Sequence, residues 1–359
     1  MEIARSTPLP PQDNPHQNRD KMPNLDGIRA MACLFVIVSH MPWPVDFILI
    51  GSVGVGVFFA LSGFLMGYLY AQSECDSTAV VKYGIARFSR IAPIYWLVIS
   101  ICILLSQFEP DSFPLTIEGA TAITRHYLFS GNVSIFWSIP LEVQYYAFFL
   151  FVWWCIASRH KYTFAMPLVL LVCALFVLTH AYWPNLSVPN KLHFFLAGTI
   201  AGLLPRKAWV GRNNRIMLCL LQVAALATIF LPLALFSTIP EMYDSVEMSI
   251  AFAIAIYLLS ISSGWTSLVF AAPLMRKIGQ ASFSIYLVHV LVFYYGGHLL
   301  GLEHRVFEPL WLLLGIAGVA IPMVVSHYIE MPLQRFTRKR LEVVLLDSNP
   351  RPVAQTQTS

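Results

Sequence analysis

Some ten apolar stretches, each near the length that crosses a bilayer, follow one another through this chain with only short polar breaks between them. They cover 25–42, 50–71, 90–107, 137–157, 163–181, 188–204, 214–236, 246–263, 280–300 and 309–330. A helical span needs about 17–25 residues, because hydrocarbon offers backbone amides no water to bond. The composition agrees: of 359 residues, 57% are hydrophobic and 12% charged. Soluble domains carry about 25% charged residues, so too few polar groups remain to cover a water-soluble globule or to keep the chain disordered. The expected fold class is all-α, a polytopic transmembrane helix bundle with about ten spans.

The flanks read differently. Residues 1–22 are rich in Pro, Asn, Gln and Asp and hold no apolar signal-peptide core, which predicts a disordered tail. Residues 341–359 read as a second tail, leaving 23–340 as the transmembrane domain. With the N-terminus inside, all but three of the 23 Lys and Arg fall on the cytoplasmic side; only Arg125, Lys191 and Arg305 lie outside. That bias predicts cytoplasmic termini at both ends. The six cysteines are scattered, with no CxxC pair, so they read as apolar fillers and no metal is expected. Nor does the composition point to nucleic acid.

Titratable side chains inside spans are costly and usually functional. Arg29 and His40 are eleven residues apart, close to three whole turns, so they share one helix face about 16 Å apart along its axis. Arg29 would sit at the inner interface and His40 in the outer half, just before Pro42 and Pro44. This spacing suits a long donor with anionic phosphates at one end and a reactive thioester at the other. Arginine grips phosphate bidentately, and a histidine serves as general base or takes the acyl group itself. The same pair equally fits a positive-inside anchor and a helix-packing imidazole.

Further along, Gly63 and Gly67 have the small-xxx-small spacing that lets helices approach closely, whereas Gly54 and Gly56 lack the strand and helix start of a phosphate loop. Arg87 and Arg90 lie one turn apart on an amphipathic stretch, on the same side as Arg29; phosphate on a donor or lipid headgroups would suit them. Glu142 follows Pro140 in the first turn of the fourth span, as a helix-start acid or as a partner that orients His40. Tyr286 and His289 lie near mid-membrane, facing other helices. Glu330 ends the tenth span, where Pro332 is expected to stop the helix, and reads as a partner of the inner arginines. No GxSxG elbow, P-loop or HExxH pattern appears.

Six blocks, LDGIRAMACLFVIVSH, GVGVFFALSGFLMGYL, RFSRIAPIYWL, FWSIPLEVQYY, IGQASFSIYLVH and YIEMP, stand in an order that resembles the acyltransferase-3 family of membrane O-acyltransferases, over about residues 25–332. The resemblance implies a core of about ten helices, acetyl-CoA or a related cytoplasmic acyl-CoA as donor substrate, and an acceptor on the outer side. It marks His40 as catalytic with Glu142 beside it, and Arg29, Arg87 and Arg90 as the donor-binding arginines. Asp26, Tyr286, His289 and Glu330 would support them.

The chain departs from the family pattern at Pro140 and Val143, which leaves Glu142 as the only carboxylate of its block. Some members append a soluble hydrolase-like domain. Here about 29 residues follow Glu330, so transfer would be completed by the membrane core or a partner. The subgroup it is most similar to acetylates bacterial exopolysaccharides or lipid-linked sugars in the inner membrane. No permanently bound cofactor is implied; the partners implied are acyl-CoA, a sugar or lipid-linked glycan, the bilayer, and polysaccharide export or polymerisation machinery. The rival reading is a transporter or flippase for a lipid-linked sugar, with His and Glu as proton relays. An acyl-dependent sensor would bind without turnover.

Overall fold

The structure, a computed structural model, describes residues 22–43, 47–109, 111–205, 215–262, 264–302 and 308–347. Most of both expected tails, Pro44 and Arg305 lie outside these residues. The helices, in chain order, are α1 (Asn24–Ser39), α2 (Ile48–Leu69), α3 (Ser77–Ser106), α4 (Gly119–Tyr127), α5 (Ser138–Ser158), α6 (Ala165–Leu178), α7 (Val188–Leu203) and α8 (Arg215–Phe230). After two short helical turns come α9 (Val246–Ser260), α10 (Gly264–Phe270), α11 (Pro273–Gln280), α12 (Ser282–Leu300), α13 (Pro309–Val325) and α14 (Met331–Glu342). No strand occurs among the described residues.

The expected ten spans are not ten long helices. Five helical stretches are long and apolar enough to cross a membrane, or six if α9 and α10, which meet at 96°, count as one broken span. Several expected spans are shorter than their apolar stretches. The first stops at Ser39 after 16 residues, and α6 has 14. Sixteen residues rise about 24 Å, less than the roughly 30 Å of hydrocarbon. Apolar composition marks what is buried or lipid-facing, whereas helix length is set where the chain must turn.

Pro332 does not stop its helix. A π-helical turn, Ser326–Glu330, joins α13 to α14, and the rod runs through a further turn to Asp347, past the domain boundary expected at 340. Across this wider turn the Met331 N–H donates to the Ser326 carbonyl, directly before the proline, which stands in the first turn of α14, where a missing N–H is tolerated. α3 is likewise one 30-residue helix with Pro93 inside it, started by the Asp76 carboxylate accepting from the Ala79 amide (2.7 Å).

α2 is held most closely by α7. A Cβ at Gly63 would strike the Phe195 carbonyl and one at Gly67 the Thr199 carbonyl; reciprocally, Gly198 and Gly202 lie on the carbonyls of Ala60 and Phe64. The GFLMG spacing is thus a packing device, met by a matching Gly-xxx-Gly on the partner helix. α1 is pinned in the same way, Gly27 against the Phe270 carbonyl and Gly279 of α11 against the Asp26 carbonyl. These contacts fix α1, the carrier of Arg29 and His40, against α10 and α11.

Candidate active site

Arg29, Arg90 and Glu142, brought by α1, α3 and α5, line one cavity of about 60 Å³, with Ser62 from α2 and Tyr286 from α12. Arg29 is buried and pairs with Asp26 at 3.6 Å, one turn earlier; Asp26 also accepts from the Gln280 amide (3.1 Å). Arg90 has no ion-pair partner among the described residues. Glu142 Oε1 accepts from Ser62 Oγ (2.8 Å) and from the Tyr146 hydroxyl (2.5 Å). Such a cavity, with two guanidinium groups and one carboxylate, suits a phosphate-bearing ligand.

His40 opens elsewhere. It closes α1 as its C-cap and lines a more open cavity of about 440 Å³, together with Ser112, Phe293, Tyr294, His298 and Trp311. Its Nδ1 lies 2.8 Å from the Val36 carbonyl. A carbonyl only accepts, so that nitrogen carries the proton and Nε2 keeps its lone pair. The His289 ring meets His40 edge-on at 4.8 Å. It is fully buried, its Nδ1 donates to the carbonyls of Ile285 and Tyr286, and its Nε2 has no partner.

The two cavities share no lining residue. Between them α12 presents a continuous stripe: Tyr286 in the arginine cavity, His289 against His40, and Phe293 in the outer cavity. The Tyr286 hydroxyl accepts from Ser138 Oγ (2.8 Å) and donates to the Ile135 carbonyl (2.7 Å). Arg29 and His40 therefore stand on one helix but face separate spaces.

Two expected convergences are not found. Glu142 sits with the arginines and is held by Ser62 and Tyr146, not by His40, because α5 enters the bundle beside α2 and α3. Arg87 does not join Arg29 and Arg90. It lies behind Tyr146, its Nη2 donating to the Tyr70 hydroxyl (3.1 Å), with its guanidinium over the rings of Tyr70 and Tyr146. Three residues turn a helix by about 300°, so Arg87 and Arg90 project only about 60° apart, and it is their different packing neighbours that place them in separate cavities. Glu330 Oε2 accepts from Ser284 and Ser326 Oγ (both 2.6 Å), in the place expected of the inner arginines.

An acyltransferase domain profile matches residues 22–328, nearly all of the described chain. The chain belongs to the acyltransferase-3 family. Relatives in that family include a provisionally named O-acetyltransferase of Staphylococcus aureus (strain MSSA476), 26% identical over 76% of this chain and 50% of its own. The peptidoglycan O-acetyltransferase OatA of Listeria monocytogenes is 25% identical over 76% of this chain and 49% of its own. Acyltransferase MdmB of Streptomyces mycarofaciens is 25% identical over 79% and 82%. The chain thus spans about half the length of the first two relatives. No solved structure matches it.

Family membership and its apolar helices make this a multi-pass membrane protein. Around the family's polar residues the structure adds neighbours the sequence did not single out. Ser62 and Tyr146 hold Glu142, Ser138 holds Tyr286, and His298, Tyr294 and Trp311 line the outer cavity. The one available signal was a hydroxyl within an apolar helix, as at Ser62 beside the GFLMG step, and such hydroxyls are common in membrane helices.

Proposed function

We propose that this chain is an integral membrane O-acyltransferase that moves an acetyl or similar acyl group from a cytoplasmic acyl-CoA to a hydroxyl of an exported or lipid-linked sugar. We further propose about ten membrane crossings, some by short helices, with both termini cytoplasmic, in a bacterial inner membrane. The observation that carries this reading is the His40 tautomer: Nδ1–H is spent on the Val36 carbonyl, which leaves Nε2 its lone pair for a base, on a residue that lines an open cavity.

In this reading the donor's phosphates bind Arg29 and Arg90, and the acceptor hydroxyl enters the outer cavity. His40 Nε2 takes the hydroxyl proton, the oxygen bonds to the thioester carbonyl carbon, and the C–S bond breaks. The thiolate recovers the proton and leaves as free coenzyme A thiol. The acyl arm reaches His40 when Tyr286 turns away from Ser138, a side-chain gate of the kind that admits substrate in many enzymes. Glu142 orients the two arginines through charge, rather than His40.

Reconstituted protein given labelled acetyl-CoA and a sugar acceptor tests the proposal. Label on the sugar, lost in His40→Ala, is the expected result; undiminished transfer by that variant ends the mechanism. Sugar translocation without thioester consumption would instead favour the flippase reading.

A further inference from the structure

Arg87 is a buried cation for which no carboxylate stands within ion-pair distance among the described residues. Its side chain is 7% exposed, its Nε has no partner, and its neighbours are one phenol and two ring faces. Aromatic faces offset part of the desolvation of a guanidinium, but a withdrawn cation is still short of an anion. The same side chain lines an apolar groove of about 200 Å³ between α3 and α5, formed largely by Gly84, Phe88, Ile91, Val143, Tyr146 and Leu150. The Phe88 ring is exposed at its edge, on a surface that lipid would cover.

We propose that this groove binds one anionic membrane phospholipid, its phosphate drawn to Arg87 and an acyl chain laid along the groove. Charge complementarity favours this occupant. Lys82, Arg87 and Arg90 precede the apolar part of α3, which sets Arg87 at the depth of headgroups rather than of hydrocarbon. The acyl-CoA phosphates of the proposed reaction are a poorer fit, because Tyr146, bonded to Glu142, stands between this groove and the arginine cavity. Since Tyr146 lines this groove and donates to Glu142 of the arginine cavity, a lipid on Arg87 braces a side chain that holds the candidate active site. The proposal does not depend on acyl transfer.

Gly84 supplies the test, for a Cβ there meets nothing within 4 Å. Leucine at that groove-lining position starts from open space and takes up room a lipid chain would need, and it favours a helix more than glycine does. The full chain is purified in neutral detergent and titrated with phosphatidylglycerol, phosphatidylcholine or acetyl-CoA. The readouts are the thermal midpoint and the lipid retained in native mass spectra. Phosphatidylglycerol should raise the midpoint more than phosphatidylcholine does. Gly84→Leu should lose that difference, Gly84→Ala should keep it, and Arg87→Gln should weaken phosphatidylglycerol roughly fivefold. Equal effects of the two lipids on the wild type, or a Gly84→Leu variant that answers phosphatidylglycerol as the wild type does, overturns the proposal. Loss of acetyl-CoA binding in Gly84→Leu, with the lipid response intact, would assign the groove to the donor instead.

Discussion

The imidazoles of His40 and His289 meet edge-on with 4.8 Å between ring centres, one at the end of α1 and the other in the middle of α12. Each gives its Nδ1–H to a backbone carbonyl of its own helix, so neither Nε2 is protonated in the neutral state. The exposed ring borders the outer cavity and the buried one stands behind it. His40→Ala should lower turnover about 10²–10⁴-fold, the usual cost of a general base, while leaving the melting midpoint unchanged. His289→Ala should lower the midpoint as well, because it empties a fully buried site. Parallel kinetics and thermal melts of the two variants separate these roles.

Glu142 holds together Ser62 of α2 and Tyr146 of its own helix. Glu142→Gln keeps an acceptor oxygen but removes the charge between the arginines. It should fold normally and change the Michaelis constant for the donor more than the maximal rate. Glu142→Ala leaves two hydroxyls unsatisfied and should cost about 1–3 kcal/mol, read from detergent-stable thermal unfolding. Equal melts for the two variants would remove Glu142 from the packing.

Arg90 is free of ion pairs among the described residues, whereas Arg29 is tied to Asp26. Arg90→Gln should therefore weaken donor binding roughly tenfold, the worth of one charged hydrogen bond, without loss of stability. Arg29→Gln should weaken the donor and also strand the Asp26 carboxylate, lowering the melting midpoint. Isothermal titration with acetyl-CoA, beside melts, distinguishes the two.

The glycines between α2 and α7 are packed against backbone, which cannot swing aside. Gly198→Ala would drive its methyl onto the Ala60 carbonyl. The strain should cost about 1–3 kcal/mol, visible as earlier unfolding and poorer insertion. Gly84→Ala, facing open space, should cost nothing in the same assay.

His126 lies in α4, between two spans on the side expected to be external, with Nδ1 on the Ala122 carbonyl. Burial holds its pKa below the ordinary histidine value. The folded chain then keeps it neutral where the unfolded chain takes up a proton, below about pH 6.5. Stability should thus fall as the pH drops from 7.5 to 5.5. A His126→Gln variant should lose less over that interval, and identical pH profiles for the two proteins would refute the assignment.

Much was written locally. Apolar content and short polar breaks required a helical membrane protein, because no other backbone arrangement but a closed barrel satisfies its amides in lipid. The spacing of Gly63 and Gly67 announced a close helix contact, and the ordered polar blocks announced the family. Residue spacing also put Arg29 and His40 on one stripe, since helical rotation is the same in every helix. Spacing did not say what stands opposite that stripe. Tyr286 and His289 come from α12 and divide the space in two, and Tyr146 of α5 takes Arg87 away from Arg90. Composition and periodicity belong to a chain segment by itself, whereas a cavity belongs to whichever helices meet around it, and that meeting is set by packing and hydrogen bonds between residues far apart in sequence.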